Sequence, residues 1–206
     1  MKSLEDGLKE LKIEYSNIQL KTLNKYIGEV EMWNKRYGLV NASGETLVTK
    51  HILDSLTGVN HIREMKIHTL ADVGSGAGLP GIPLSIFLPE MKISLIERSG
   101  KRVRFLRNVQ ILLGLKNVEI IEADLKDVTS RYDLVTFRAF KPIEPGIIQL
   151  LKNILAEGGK IVAYKARMEN INQEIEMVKD LIQVEKIVSV SVPGLEDERN
   201  LVFYRS

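Results

Sequence analysis

Four glycines fall within eight residues in Gly74-Ser-Gly76-Ala-Gly78-Leu-Pro80-Gly81, directly after the apolar run Leu70-Ala-Asp72-Val73. Glycine tolerates positive φ and lets a ligand approach the backbone closely. Prolines such as Pro80 and Pro83 are compatible with the first turn of a helix. The pattern is a strand running into a ligand-holding turn and then a helix, and ligands on such sheets sit outside the carboxyl ends of the strands. Gly76-Ala-Gly78-Leu-Pro-Gly81 is a literal G-x-G-x-x-G, so a nicotinamide or flavin dinucleotide is one candidate. Two features oppose it. The apolar run ends at Val73, so the turn opens at Gly74, ahead of the matched triplet. Asp72 closes the strand, and a carboxylate there repels a pyrophosphate but attracts a ligand with a cationic amine and a sulfonium. S-adenosylmethionine carries both, and its own carboxylate can accept hydrogen bonds from turn amides and a helix N-terminus. Glu97 ends the next apolar run, Ile93-Ser-Leu-Ile-Glu97. It lies near the offset of about 20 residues at which an acid meets ribose hydroxyls in nucleotide-binding units. S-adenosylmethionine is the expected cofactor, with Asp72, Gly76, Gly78 and Glu97 as contacts; a dinucleotide and a turn with no ligand are the alternatives.

The methyl acceptor is narrowed by missing residues. Ring-carbon methylation of pyrimidines uses a cysteine nucleophile, and the chain has no Cys. Amino-group methylation of bases commonly uses an Asn/Asp-Pro-Pro-aromatic run after the fourth strand, where this chain reads Tyr132-Asp-Leu-Val-Thr-Phe-Arg138-Ala-Phe140. An acceptor with a lone pair and no proton to lose, such as purine N7, needs alignment and tolerance of positive charge rather than a general base. Arg138 is the candidate for positioning cofactor or target nucleotide, with a structural salt bridge as the alternative. Arg98, Lys101, Arg102, Arg104 and Arg107 cluster after Glu97 at spacings that share a helix side. That cluster reads either as a solvated face or as a phosphate-contacting patch through Lys101, Arg102 and Arg104. Lys165 and Arg199 are further candidates for RNA contact on position and charge. Trp33 reads as core rather than as a stacking platform. His51 and Asp54 are three apart on a helix and share a face, where a hydrogen bond joining the N-terminal helices to the glycine turn is expected, with an RNA or substrate-pocket contact as the alternative. With three His and no Cys, no metal site is expected.

These groups need a frame. Leu4, Leu8 and Leu11 recur at helical spacing, Ser16 offers an N-cap, and Ile18, Leu23, Tyr26, Ile27, Val30 and Trp33 hold one stripe. From about Thr69 the pattern alternates. Strands are expected near Thr69–Val73, Lys92–Ile96, Val118–Ile121, Tyr132–Phe137 and Lys160–Tyr164, with helices near Gly81–Leu88, Ser99–Leu113, Pro145–Leu155 and Met168–Ile182. Short connections of this kind imply a doubly wound α/β fold with a mostly parallel sheet. Two last β-rich runs, Glu185–Val192 and Leu201–Arg205, have no helix between them and predict an antiparallel C-terminal edge. The division is a helical extension over residues 1–66 and a cofactor-binding core over 67–206 as one compact unit.

The 206 residues, 44% hydrophobic and 27% charged, suffice for one globular α/β core and exclude disordered and low-complexity classes. No apolar run reaches the roughly 18 residues of a membrane helix, and the acidic start Met1-Lys-Ser-Leu-Glu-Asp does not resemble a signal peptide. A cytoplasmic protein without membrane association, acting as a monomer, is the expectation. The net charge of +2 is weak support for a nucleic-acid partner.

Taken in order, Trp33-Asn34, Asn41, His51-Ile-Leu-Asp54-Ser55, Asp72 to Pro83, Lys101-Arg-Val-Arg-Phe-Leu106, Phe137-Arg-Ala139 and Glu198-Arg199-Asn200 resemble the bacterial RsmG (GidB) family over nearly the whole chain. The resemblance implies a class I methyltransferase (Rossmann-like) fold, seven-stranded with an N-terminal helical extension. It also implies methyl transfer to N7 of a guanine in 16S ribosomal RNA, on naked RNA or the small ribosomal subunit, with no covalent enzyme intermediate. Family cofactor contacts fall on Gly74, Leu79, Leu125, Lys126 and Arg138. The chain departs from the pattern at Glu122-Ala-Asp124-Leu-Lys126, where an Arg and a Glu are usual and the charges are reversed. Asp124 then either accepts from the adenine amino group or pairs locally with Lys126. At Tyr164-Lys165-Ala166 the family more often has Lys-Gly, and Lys165 is retained.

Overall fold

The structure, a computed structural model, describes residues 4–140 and 142–205. Helix α1 (Leu4–Glu10) precedes the long α2 (Asn17–Tyr37), whose start is fixed by a capping box. The Ser16 hydroxyl accepts from the Gln19 amide at 3.2 Å while the Gln19 side chain accepts from the Ser16 amide at 2.9 Å. Gly38, at φ 56°, closes α2 in a left-handed cap. Asn34 then clamps the following loop, donating to the Ala42 carbonyl and accepting from the Val40 amide. Short helix α3 (Gly44–Leu47) leads into a π-helical stretch, Val48–Leu53, then α4 (Asp54–Leu56) and α5 (Val59–Glu64). Of the expected α2 stripe, Leu23, Tyr26 and Val30 are buried, but Ile18 in the first turn faces solvent.

Seven strands follow: β1 (Thr69–Val73), β2 (Lys92–Glu97), β3 (Val118–Glu122), β4 (Tyr132–Arg138), β5 (Leu155–Lys165), β6 (Gln183–Val190) and β7 (Arg199–Arg205). Their order is β3-β2-β1-β4-β5-β7-β6. The first five are parallel, and β7 lies antiparallel between β5 and β6, giving the antiparallel C-terminal pair read from the sequence. Helices α6 (Gly81–Phe87) and α7 (Gly100–Leu113) belong to one face, and α8 (Pro145–Asn153) and α9 (Met168–Val178) to the other. Because both faces are covered, the central strands are nearly continuous apolar runs. Leu70 enters one buried cluster, and Ala71 and Val73 the other. Strand order reverses between β1 and β4, and the crevice at their carboxyl ends is where such sheets bind ligands.

The N-terminal segment is a layer of this fold. Its Leu8, Leu23, Tyr26, Leu47, Ile52 and Leu56 share a buried cluster with Leu95, Phe105 and Phe203 of the α/β part. Trp33 packs into the same cluster, its ring 5.5 Å from that of Phe105. No helix among the described residues is long and apolar enough to cross a membrane.

Beneath the crevice, the buried Tyr164 of β5 donates its hydroxyl to the Ser55 carbonyl at 3.0 Å. Gly58 lies against that hydroxyl so closely that a Cβ would collide with it. Gly58→Ala is expected to destabilise the protein by about 1–3 kcal/mol, and Tyr164→Phe by about 1 kcal/mol through loss of a buried hydrogen bond. The double variant should cost less than the sum, because the second change removes the colliding atom. Urea melts of the four proteins check this; strict additivity would mean that the two residues do not meet.

Candidate active site

The glycine turn is held by two carboxylates that it wraps. Gly74, Gly76 and Gly78 adopt φ of 68°, 58° and 86°, the region open chiefly to glycine. The Gly74 and Ser75 amides donate to the Ile96 carbonyl of β2. The Gly76 amide donates to Glu97 Oε2 at 2.9 Å, the Ser99 amide to Glu97 Oε1 at 2.8 Å, and the Gly81 amide to Asp72 Oδ2 at 2.9 Å. Gly78 and Leu79 donate to the Ser75 carbonyl. The Gly74, Ser75, Gly76, Gly78, Leu79 and Gly81 amides are therefore taken by carboxylates and carbonyls, which leaves a dinucleotide's pyrophosphate few donors in the literal G-x-G-x-x-G. Tyr26 of α2 ties the N-terminal layer to this turn, donating to the Ala77 carbonyl at 2.7 Å.

Asp72, expected as a direct cofactor contact, is instead fully buried beneath the turn, with Oδ1 unpaired. Burial outweighs the Gly81 and Ser75 hydrogen bonds and the Arg138 charge and pushes its carboxyl up to about 7. Gly76, Gly78 and Leu79 likewise shape the turn without lining the adjoining cavity. Only Gly74 of the turn reaches it.

That cavity, about 210 Å³, is walled by Val73, Gly74, Ile96, Glu97, Leu125 and Ile147 among others. Its lining mixes apolar Val73, Ile96, Leu125 and Ile147 with charged Glu97, Arg98, Arg102 and Asp124. Such a mixed slot beside a 4%-exposed carboxylate suits a ligand with a flat apolar ring and polar hydroxyls, as the adenosine of S-adenosylmethionine has. Each Glu97 oxygen already accepts one amide and keeps a lone pair for a ribose hydroxyl. Asp124 lines the cavity too, accepting from the Lys126 amide at 3.3 Å and facing Arg98 at 3.5 Å. Those contacts, the amide first, hold its carboxyl below the usual range. The local ion-pair partner of Asp124 is thus Arg98, while the Lys126 side chain is exposed and outside the cavity.

A second cavity of about 500 Å³ opens at the ends of β4 and β5. Its charged lining comprises Lys50, Asp54, Arg138, Lys165, Glu174 and Arg199. Arg138 donates to Asp54 Oδ2 at 2.8 Å and to the Lys50 and His51 carbonyls, and its other terminal nitrogen lies 3.0 Å from His51 Nδ1. Since a guanidinium only donates, Nδ1 is the acceptor and the ring proton sits on Nε2. Burial first, then Arg138, Arg199 and Lys50, press the His51 pKa down to about 4, so the ring is neutral at physiological pH. His51 and Asp54 therefore join the N-terminal layer to β4, not to the glycine turn as expected. Arg199 adds a contact to Asp54 Oδ1 at 3.5 Å, and Lys165 pairs with Glu174 at 2.6 Å.

Arg138, Lys165 and Arg199 are thus brought together, and Arg138 lines the charged cavity rather than the cofactor cavity. The α7 residues stand apart. Arg102 borders the cofactor cavity 3.7 Å from Glu97, Lys101 covers the Tyr37 ring, and Arg104 is exposed. Sequence reasoning missed Lys50, Glu174 and Phe140. Phe140 and Ala139 are the residues common to both cavities. The Phe140 ring lies against Gly74 so closely that a Cβ there would collide with it. No local pattern marks these three as neighbours of Arg138.

The sequence model of GidB, described as rRNA small subunit methyltransferase G, matches residues 19–202. The chain is 35% identical over 202 residues to the ribosomal RNA small subunit methyltransferase G of Borreliella burgdorferi strain ZS7, covering 97% of this chain and 96% of that protein. It is 40% identical over 187 residues to the protein of the same name from Treponema pallidum strain Nichols, covering 87% and 82%. Among solved structures, a SAM dependent methyltransferase from Aquifex aeolicus superposes with a TM-score of 0.59 at 17% identity, covering 79% of this chain and 93% of that one. That likeness concerns the fold, and the fold is the class I methyltransferase arrangement.

The raised Asp72 carboxyl has a readable consequence. Below about pH 4 the group is protonated in both folded and unfolded chains and contributes nothing. As pH rises toward 7 the unfolded chain ionises first, so folding weakens, and above 7 the penalty is constant. Asp72→Asn cannot ionise and keeps an acceptor for the Gly81 amide. Its stability relative to wild type is expected to rise by roughly 2–3 kcal/mol between pH 5 and pH 8. The titration of His51 is common to both proteins and cancels. Denaturant melts at the two pH values measure this; an unchanged difference would place Asp72 in contact with water.

Proposed function

The chain belongs to the rRNA small subunit methyltransferase G family, and on that premise we propose that it transfers a methyl group from S-adenosylmethionine to N7 of a guanine in 16S ribosomal RNA. The observation that carries this reading is the pair of adjoining cavities at the sheet's switch point. One joins apolar walls to the buried Glu97 carboxylate and to Asp124, and the other is rimmed by Lys50, Arg138, Lys165 and Arg199.

Gly74, Glu97, Asp124 and Leu125 hold the adenosine end in this reading. The cofactor, when bound, supplies an electrophilic methyl on sulfonium. The chain's own contribution is alignment. Arg138 locks the π-helical stretch onto β4 and so fixes the shape of the acceptor cavity, while Lys165 and Arg199 offer cations to the phosphates of the target nucleotide. No base is required, because N7 attacks through a lone pair, and His51 stays neutral, sparing a cationic product one further charge. Exposed Lys101 and Arg104 on α7 extend the cationic track along the RNA. N7 of a paired guanine lies in the deep, narrow groove of A-form RNA, so the target must be unpaired or extruded.

Purified protein, methyl-labelled S-adenosylmethionine and small subunits from cells lacking this gene test the reading. Digestion to nucleosides is expected to give label in 7-methylguanosine; label in another nucleoside, or none, would contradict it. Arg138→Ala should lower kcat/KM on subunits by about 10²-fold, the scale of an ångström-level misplacement, with S-adenosylhomocysteine still bound. Wild-type kcat and KM for both substrates would remove Arg138 from the site.

A further inference from the structure

We infer that Phe140 is the stacking platform for the methyl-accepting base, an assignment that rests on the proposed transfer to an extruded guanine. The two cavities meet along one short wall; among the described residues, Ala139 and Phe140 line both. A methyl passing in line from one cavity to the other must cross beside that wall, so the accepting ring has to lie against it. Ala139 brings no ring. Phe140 does.

The other aromatic residues of the acceptor cavity are committed elsewhere. Phe137 is 1% exposed, with the Lys165 ammonium 5.7 Å over its ring. Tyr164 is 6% exposed and spends its hydroxyl on the Ser55 carbonyl. His51 is held by Arg138 through Nδ1. Phe140 is half-buried, tilted 60° to Phe137 at 6.3 Å between centroids, and braced on its other flank by Gly74. Its placement depends on Ala139, a non-glycine residue at φ 49°. Backbone held in that region is costly for an alanine and recurs at functional sites. An extruded base that has lost its own stacking partners regains them on an aromatic side chain, and every base offers a π-face to such a platform.

The test uses full-length protein, unmethylated small subunits and three substitutions. Phe140→Leu keeps apolar bulk without a π-face, Phe140→Ala removes both, and Phe140→Trp keeps the π-face. Initial rates on subunits, S-adenosylhomocysteine Kd and thermal stability are measured for each. Stacking on an aromatic predicts a fall in kcat/KM of about 5- to 100-fold for Ala and Leu. Trp should remain within about 3-fold of wild type, and for Ala and Leu the S-adenosylhomocysteine Kd should change by clearly less than kcat/KM, because Phe140 borders that cavity as well. Leu at wild-type kcat/KM would overturn the assignment, and so would Leu and Trp losing activity alike. A loss of S-adenosylhomocysteine binding that matches the loss of rate would make Phe140 a cover over the cofactor cavity and also overturn it. Failure of the underlying reading is separate, since wild-type enzyme would then put no label into 7-methylguanosine.

Discussion

The contact between Arg138 and Asp54 is the constraint on which the site depends. It joins the end of β4 to the start of α4, directly after the π-helical stretch of the N-terminal layer, across 84 residues of sequence, at 2.8 Å, with both side chains nearly buried. Burying an ion pair is expensive unless the remaining donors and acceptors are satisfied. Here the guanidinium also serves two backbone carbonyls and the His51 ring, and the second Asp54 oxygen faces Arg199. An arginine fork suits this work because its donors are planar and fixed. One consequence is a neutral histidine of defined tautomer. Another is that the wall bearing Ala139 and Phe140 begins from a residue that cannot drift.

The glycine turn shows the same economy. Asp72 and Glu97 are both acids at strand ends, and both accept turn amides, yet their roles diverge with position. Glu97 keeps a face toward the cofactor cavity, whereas Asp72 lies beneath the turn and carries a raised carboxyl. The turn is held by acceptors of the chain itself, the two carboxylates and the Ile96 and Ser75 carbonyls. Tyr26 extends that rigidity into the N-terminal layer through the Ala77 carbonyl. The two adjoining cavities thus share one continuous scaffold.

Much of this frame was legible from local pattern. Strands β1 to β4 fall where apolar runs predict them, and Ser16 caps α2 as its side chain allows. Glu97 is singled out by its offset from Asp72, and it lines the cavity beside Gly74. The misses are long-range. Strand β5 starts at Leu155 rather than near Lys160 because Leu155 pairs with Tyr132, a partner no local pattern reveals. Helix α9 stops at Val178, ahead of the expected Ile182, where Leu181 and Ile182 both turn back to the Val178 carbonyl. The π-helical stretch carries no sequence mark, and it determines that His51 and Asp54 meet Arg138. Phe140 was invisible because its direction follows from an alanine in a conformation that sequence rules assign to glycine.

In the proposed arrangement, cofactor and target nucleotide occupy two cavities divided by Ala139 and Phe140. A crystal structure of the protein with S-adenosylhomocysteine and 7-methylguanosine 5′-monophosphate tests it most directly. The adenine is expected between Leu125 and Ile147, the guanine beyond Phe140 with its methyl turned to the sulfur, and the phosphate near Lys165 and Arg199. A nucleotide bound along α7, or on the same side of Phe140 as the adenine, would contradict it.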